Sequence, residues 1–269
     1  MAQQINFRFM NPKILPFNIK TSMFNLFKKL DRSITNLEEV YFDDSNKDDF
    51  FDNYFSKRVP VLIKGGAKNW PLMKKWNKDY IIKKAGNYMC TVATDSRPAA
   101  STVRATLKDY FKRYQGKSTL TLQKYQKGQN LPILKDLPIP SPFFTQESIH
   151  RYFFFHSVKD AGTLPHKHRD AFNILVSGSK HWVFHDASLE KAPKGYAKLN
   201  EYSKSYPSGT TAKDWFEKEL PNLPNSLKKV KVYQCIQEPG DIVYIPNDYS
   251  HTVLNLSEVL GVVFECNNP

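Results

Sequence analysis

The carboxy-terminal half of the chain consists of short apolar segments separated by turns that contain proline and glycine. Runs such as Tyr152 to Phe155, Val230 to Ile236 and Ile242 to Ile245 have the length and composition of β-strands. The intervening Glu238-Pro-Gly-Asp241 is typical of a tight turn. Many short strands with such turns favour a barrel or a jelly roll. We therefore predict a mainly β fold with helical additions.

The segment around Gly178 predicts a β-hairpin. Strand-like residues Asn173 to Val176 and Lys180 to Phe184 lie on either side of Ser177-Gly-Ser179. The first half of the chain instead contains helical patterns. Helices are predicted after Ser45 and Asp48 through Phe55, from Lys78 to about Lys84, after Thr106 and Asp109 through Tyr114, and over residues 211–220.

Length and composition suit one large domain or one domain with a small extension, because the 269 residues are 41% hydrophobic. Three widely spaced cysteines predict neither a disulfide framework nor a zinc site. No apolar run approaches the roughly 20 residues of a membrane helix, and no secretory leader is recognisable. We expect an intracellular protein that is not secreted, in the cytoplasm or nucleus, with a mitochondrial location as a minor alternative.

A formal net charge of +13 favours acidic partners such as RNA, an acidic protein or an anionic cosubstrate, but a lysine-rich solvated surface is the simpler explanation. Residues 1–36 form a basic segment that we expect to be an irregular arm. Between Arg104 and Lys127, basic residues alternate with aromatic ones. This stretch could contact an acidic partner or unpaired bases. The alternative is a helix whose aromatic side chains pack inward.

Three histidines and one aspartate form a candidate metal-binding pattern. Residues two apart on a strand face the same side, so either His166 with His168 or His168 with Asp170 could direct two donors toward one ion. His251 follows far along the chain as a third donor. A close pair plus one distant histidine is the sequence form of a facial triad on Fe(II), which leaves positions open for a cosubstrate and O₂.

Lys180 follows the predicted glycine turn. A lysine facing into a barrel is costly unless an anion such as the carboxylate of a keto acid pairs with it. The alternative is an outward-facing lysine next to an inward-facing Trp182.

Several motifs in order resemble the JmjC class of cupin-like proteins. They are Arg58-Val-Pro-Val-Leu-Ile-Lys-Gly65 with Trp70-Pro-Leu72, Asn173 to Trp182, and Glu238 to Pro246 followed by His251 to Leu256. The resemblance covers roughly residues 37–266. It implies a double-stranded β-helix, and a domain over 37–269 with a helical and edge-strand region over 37–149 and a β-helix core over 150–266.

The resemblance also implies roles for individual residues. His166 corresponds to the first iron ligand, with Thr163 three positions earlier as a 2-oxoglutarate contact, and His251 corresponds to the last ligand. Lys180 corresponds to the lysine that binds the distal carboxylate of the cosubstrate. Asn173 and Asn255 correspond to polar residues near the cosubstrate. No catalytic side chain is implied beyond the metal centre.

The chain departs from the usual family pattern at the second ligand. His168 stands where the family normally has aspartate or glutamate, and it resembles a subgroup with His-x-His at this place. Asp170 is the alternative ligand, but its use would alter the spacing from Thr163.

Two functions follow. The first is an Fe(II)- and 2-oxoglutarate-dependent oxygenase that hydroxylates or demethylates a protein or RNA target with O₂. The second is a catalytically inactive metal-binding cupin that acts as an interaction module.

Overall fold

The structure is a computed structural model. It describes residues 34–42, 47–93, 102–113, 121–126, 131–139, 141–145, 147–187, 206–207, 209–223 and 230–267. Residues 1–33 of the predicted arm and the cap at Ser45 lie outside these residues. Thr35 and Asn36, which we assigned to the end of the arm, form the first strand and pair with a strand of the carboxy-terminal half.

Fourteen strands occur within the described residues. They are β1 (Thr35–Asn36), β2 (Glu39–Tyr41), β3 (Val61–Lys64), β4 (Met89–Ala93), β5 (Thr102–Thr106), β6 (Thr121–Gln126), β7 (Ile149–Ser157), β8 (Gly162–His166), β9 (Ala171–Ser177), β10 (Lys180–Asp186), β11 (Val232–Gln237), β12 (Ile242–Ile245), β13 (Tyr249–Asn255) and β14 (Val259–Cys266).

The helices are short and lie mostly in the first half of the chain. They are α1 (Lys47–Phe50, continued by a π-helical turn over Phe51–Phe55), α2 (Pro71–Lys75), α3 (Lys78–Ala85), α4 (Leu107–Arg113), a 3-10 turn (Pro132–Asp136) and α5 (Ala212–Asp214, continued over Trp215–Glu219 and Leu220–Asn222). Predicted caps are present, since the Thr106 and Thr211 hydroxyls accept the backbone N–H of Asp109 and Asp214. No helix in the described part of the chain is long and apolar enough to cross a membrane.

The strands form two sheets. The five-stranded sheet has the order β1-β11-β10-β13-β8, and the nine-stranded sheet has the order β2-β3-β12-β9-β14-β7-β6-β4-β5. From β7 to β14 the chain alternates between the sheets, except that β10 and β11 are antiparallel neighbours. This connectivity is that of a double-stranded β-helix, or jelly roll. The predicted fold class is confirmed.

The predicted hairpin between β9 and β10 is wrong. The two strands belong to different sheets: β9 pairs with β12 and β14, whereas β10 pairs with β11 and β13. Gly178, with a φ of +86°, carries the chain across the corner between the sheets. A Cβ atom there would lie 2.1 Å from the carbonyl oxygen of Glu258, so this corner requires glycine.

The core between the two sheets is apolar and small. Its buried members are Leu37, Leu62, Ala171, Trp182, Phe184, Cys235, Val243, Ile245 and Val253. Cys235 therefore packs as a small buried hydrophobe, and all three cysteines are free and buried. Because paired residues on adjacent strands face the same side, this core identifies which side chains point into the barrel.

A second, larger core covers the outer face of the nine-stranded sheet. Phe172, Tyr244 and Phe264 lie on that face and pack against residues that precede β7, including Phe55 and Phe144. The central strands of this sheet are therefore buried on both faces. This explains why β9 has an almost unbroken apolar sequence rather than an alternating one.

Candidate metal centre

Strands β8 and β13 bring two of the candidate histidines side by side. His166 pairs in register with His251, and Thr163 pairs with Val253. Two residues, Leu164 and Pro165, therefore face a single residue of β13, which is a β-bulge. Residues three apart on a regular strand face opposite sides of the sheet. The extra residue in the bulge turns the chain so that Thr163 and His166 face the same side. Thr163 and His166 consequently both face the interior, together with Val253.

His168 joins this pair from the segment that follows β8. One potential ligand atom from each of His166, His168 and His251 lies within 4.8 Å of the others. The ring centroids are 4.2 Å apart for His166 and His251, and 4.7 Å apart for His168 and His251. Within the described residues this is the group with the composition and geometry of a metal site.

The protonation state of the three rings suits metal binding. Nδ1 of His166 and of His168 donates to the backbone carbonyls of Leu164 and Arg169, at 2.8 and 2.7 Å. Carbonyl oxygens only accept, so the lone pair of each ring is on Nε2. Burial and the proximity of His168 lower the pKa of His166 to about 3. Burial also lowers the pKa of His168 and, aided by the other two rings, that of His251.

Asp170 does not join the cluster. Its Oδ1 accepts hydrogen bonds from the guanidinium of Arg58 at 2.9 Å and from the backbone N–H of Asn247 at 2.7 Å. Strand β8 ends at His166, so the alternation that would place Asp170 on the side of His168 is interrupted. Asp170 instead fastens the segment after β8 to the turn that leads into β13.

Lys180 is buried on the inner face, so the outward alternative does not apply. It is 6% exposed and pairs in register with Asn255. Its Nζ lies 3.7 Å from the ring centroid of Phe155 and 5.5 Å from that of Trp182. The described part of the chain offers it no carboxylate. Burial lowers the pKa of Lys180 to about 7.

The remaining predicted cosubstrate residues lie on the same interior surface. Asn173 is on the facing sheet, where it pairs with Val243, and its buried Oδ1 has no hydrogen-bond partner among the described residues. The side-chain amide of Asn255 donates to the carbonyl of Val158 at 3.2 Å. Phe184 pairs with His251, and Lys180 is four residues before Phe184. The lysine row, which is the cross-strand pair of Lys180 and Asn255, is therefore about 13 Å along β10 from the histidine row, which is the pair of Phe184 and His251.

Three further histidines outside the cluster are buried. His181 and His185 of β10 are each 2% exposed. His181 packs on Phe216 and bonds to Gln234 at 3.0 Å, so the outer face of β10 is covered by α5. His156 of β7 is buried between the Tyr110 hydroxyl and the Glu258 carboxylate.

The sequence analysis missed the inner row of β7. Arg151, Phe153 and Phe155 are two residues apart and face the barrel interior, and Arg151 pairs with Glu265 of β14. The available signal was the period-two spacing of one arginine with two phenylalanines. The segment Tyr152 to Phe155 is apolar on both faces, which hid the alternation.

A jelly roll that brings three neutral imidazoles together on its inner face belongs to the cupin class. A model of the cupin-like domain family matches residues 47–264, and the chain belongs to that family. It is 24% identical over 243 residues to "Arginine-specific demethylase JMJ22" of Arabidopsis thaliana, covering 80% of this chain and 43% of that protein. The predicted resemblance to JmjC proteins is confirmed.

Two further relatives extend the comparison. "Bifunctional arginine demethylase and lysyl-hydroxylase psr-1" of Caenorhabditis elegans is 24% identical over 80% of this chain and 57% of its own length. "Jumonji C domain-containing protein 5" of Drosophila melanogaster is 24% identical over 87% of this chain and 61% of its own length. The chain spans about half the length of the curated relatives described here.

Proposed function

We propose that this chain is an Fe(II)- and 2-oxoglutarate-dependent oxygenase that hydroxylates or demethylates a protein side chain. The observation that carries the proposal is the convergence of His166, His168 and His251 on the interior surface that also holds a buried, unpaired Lys180. A metal site and an anion site in one barrel are what a metal-chelating dicarboxylate requires.

The three imidazoles fit a divalent transition metal. Each is neutral, and two have their Nδ1 proton held by a backbone carbonyl, which fixes the ring and directs Nε2 toward the cluster. Three nitrogen donors leave room for a bidentate cosubstrate and O₂. Fe(II), 2-oxoglutarate and O₂, when bound, supply the oxidising chemistry that hydroxylates a C–H bond or removes a methyl group after hydroxylating it.

The distal carboxylate of 2-oxoglutarate is assigned to Lys180. Lys180 and the Phe184–His251 pair are about 13 Å apart along β10, a distance that a lysine side chain and a five-carbon diacid together can span. Thr163, Asn173 and Asn255 offer polar groups on the same surface. Asn173 Oδ1, which has no partner in the described residues, accepts a hydrogen bond from a ligand or from a water that accompanies it.

A protein substrate is supported better than RNA. Two of the relatives are named for arginine demethylation, and one of these also for lysyl hydroxylation. In the basic and aromatic stretch from Arg104 to Lys127, Tyr110 and Phe111 are buried and offer no ring to a base. For these two residues the structure matches the alternative in which the aromatic side chains pack inward.

Anaerobic titration with Fe(II) and 2-oxoglutarate, followed by addition of O₂, tests the proposal. We expect a metal-to-ligand charge-transfer band and then succinate, with more succinate when a chymotryptic protein digest, which retains internal lysine and arginine, is present. His251→Ala should abolish the band, whereas His150→Ala, at an exposed histidine of β7, should not.

The same experiment separates the two candidate functions. A charge-transfer band without succinate would identify an inactive metal-binding cupin, which the imidazole of His168 in place of a carboxylate favours. Absence of the band in the wild-type protein would refute both the iron site and the oxygenase.

A further inference from the structure

Strand β7 presents a row of inward-facing side chains that the proposed metal and cosubstrate sites leave unused. Phe155 lies at one end, beneath the Lys180 amine, and Arg151 lies at the other. Arg151 pairs with Glu265, which in turn pairs with Ala171, three residues after His168. The pair therefore lies at the histidine end of the barrel.

Arg151 is held in place by two contacts. Its Nε donates to Glu265 Oε2 at 2.6 Å, and its guanidinium carbon lies 4.8 Å from the ring centroid of Phe153. Glu265 is 3% exposed, whereas the Arg151 side chain is 31% exposed. A buried acid and an aromatic face thus fix a guanidinium that still reaches solvent.

The terminal nitrogens of Arg151 have no partner in the described part of the chain. Glu265 uses only Nε, so the two Nη groups retain their donors. Paired N–H groups of a guanidinium match a carboxylate in a bidentate arrangement, and prior fixation reduces the entropy lost on binding. The net charge of +13 attracts acidic partners toward this surface.

We propose that Arg151 forms a subsite for a carboxylate of the substrate, so that the preferred peptide has an acidic residue close to the residue that reaches the metal. Arg151 is then a specificity-determining residue. Glu265 is a positioning residue that fixes the guanidinium. This inference rests on the proposed function for the identity of the reaction, but recognition itself requires no turnover.

The test is a binding selection without turnover. Immobilised protein, loaded with Mn(II) and an unreactive 2-oxoglutarate analogue, is exposed to a peptide library with a central lysine or arginine and randomised flanks. The flanks contain Asp, Asn, Glu and Gln in equal amounts. We expect the wild-type protein to enrich Asp or Glu over Asn or Gln at a fixed offset by about tenfold or more, as for a hydrogen-bonded charge pair.

Variants identify the residue responsible. Arg151→Gln with Glu265→Gln removes both charges without leaving a buried acid unpaired, and it should lose the acidic preference. Arg151→Lys keeps the ion pair with Glu265 but lacks the paired N–H groups of a guanidinium, so this variant should retain only part of the acidic preference. Lys74→Gln removes a positive charge from an exposed position of α2 and should behave as wild type.

The outcomes separate this inference from the proposed function. If the acidic preference depends on Arg151 but the protein fails to bind 2-oxoglutarate, the subsite is supported and the oxygenase is refuted. Binding of 2-oxoglutarate without any acidic preference, or a preference unchanged in the double variant, refutes the subsite. Arg151-dependent binding of a uridine oligonucleotide in place of the acidic peptides would show that the anion is an RNA phosphate, which also overturns the inference.

Discussion

Lys180 places an amine inside the barrel against aromatic faces rather than acids. The rings of Phe155 and Trp182 stabilise a cation only partly, so burial still lowers its pKa to about 7. The folded protein thus keeps a lysine in surroundings that disfavour its charge. An incoming carboxylate would restore the charged form, which links the binding of the proposed cosubstrate to a proton.

Binding of 2-oxoglutarate is expected to take up a proton above neutral pH. In the protein without cosubstrate the Lys180 amine has a pKa of about 7, and a carboxylate bound next to it raises this pKa. At higher pH the free protein must gain a proton to bind, so the affinity should fall by up to about tenfold per pH unit. Calorimetry at about pH 8 in two buffers of different ionisation enthalpy measures this uptake. Zero uptake would contradict the assignment of Lys180.

Replacement of Lys180 by methionine is expected to stabilise the protein while removing cosubstrate binding. The unfolded lysine titrates near 10.5 and the folded one near 7, so the unfolded state holds more protons between these values. The wild-type free energy of unfolding should therefore rise with pH in this window. Urea denaturation should show the Lys180→Met variant more stable than wild type near pH 7, by a margin that shrinks toward about pH 10.

A matched variant at the exposed Lys159 should show neither effect. Retention of 2-oxoglutarate affinity in Lys180→Met would exclude this lysine as the carboxylate partner. Unchanged metal affinity in the same variant is expected, because the lysine row and the histidine row are about 13 Å apart.

His168 and Asp170 are expected to differ in what their removal affects. His168→Ala deletes a proposed ligand, so Co(II) affinity should fall by more than the roughly 10- to 100-fold typical of outer-shell changes. Asp170→Ala should lower it less, but it leaves the Asn247 N–H without its acceptor and removes one of the two carboxylates that pair with Arg58, at about 1–3 kcal/mol of stability. Metal titration and urea denaturation of both variants measure the two effects. The reverse order of metal affinities would make Asp170 the ligand.

At the residue scale, the sequence indicated positions better than orientations. Alternation predicts that residues two apart share a face, and this relates Lys180 to Trp182 without saying which face is buried. For β10 both faces are buried, since His181 and His185 on its outer face are each 2% exposed. Arg151 was overlooked for the same reason, because its strand is apolar on both sides.

The bulge in β8 shows what an element contributes beyond spacing. Thr163 and His166 are three residues apart, and a regular strand would direct them to opposite faces. Leu164 and Pro165 oppose one residue of β13, which returns both side chains to the interior. Proline has no N–H to donate to a ladder, so an irregular pairing suits it. The resemblance implied the spacing, but the register that makes it usable is visible only in the paired strands.

The corner at Gly178 was mistaken for a hairpin because both structures place glycine between two strands. A hairpin returns the chain within one sheet, whereas this corner passes it to the other sheet. Local sequence does not distinguish them. The distinction depends on which strands lie alongside, and those are more than fifty residues further along the chain.

Gly178→Ala is expected to destabilise the fold more than Gly209→Ala. Both glycines have a φ near +87°, so both substitutions bring a similar backbone strain of about 1 kcal/mol. At Gly178 the new Cβ would meet the carbonyl oxygen of Glu258 at 2.1 Å, whereas at Gly209 no atom of the described residues lies within 4 Å. The difference in free energy of unfolding should be about 1–3 kcal/mol or more by urea denaturation. Equal effects would show that backbone strain alone matters at both positions.

At the scale of the whole molecule, the nine-stranded sheet is shared between two cores. Its inner face closes the barrel, and its outer face is covered by the first half of the chain. Asp136 ties that covering layer together, because it accepts hydrogen bonds from Lys75, Trp76 and Tyr80. Arg58 joins the layer to the segments on either side of the metal cluster through Asp170 and Asp248.

The sequence predicted the order of helices and strands and the class of fold, because local patterns and turn residues specify these. It predicted edge strands from residues 37–149, but not which segments would form them: β2 to β6 extend the four barrel strands of one sheet to nine. Pairing between distant segments depends on complementary surfaces, not on any local pattern. The predicted division of the domain at residue 150, into a helical and edge-strand region and a β-helix core, therefore stays a prediction.

A fragment from residue 147 to the end is expected not to fold cooperatively on its own. It contains all eight strands of the double-stranded β-helix, but it lacks the layer that covers their outer face. In the whole chain Trp76 packs on Phe154 and residues 143–144 pack on Phe172 and Phe264, with ring centroids of 5.8 Å for the first pair. Without this layer those rings would form an exposed apolar patch of the kind that leads to aggregation.

The fragment should bind a hydrophobic dye and fail to bind Co(II), whereas residues 34–269 should unfold in one transition and bind Co(II) like the full chain. Cooperative unfolding of the fragment with undiminished Co(II) affinity would show that the barrel forms its metal centre without the covering layer.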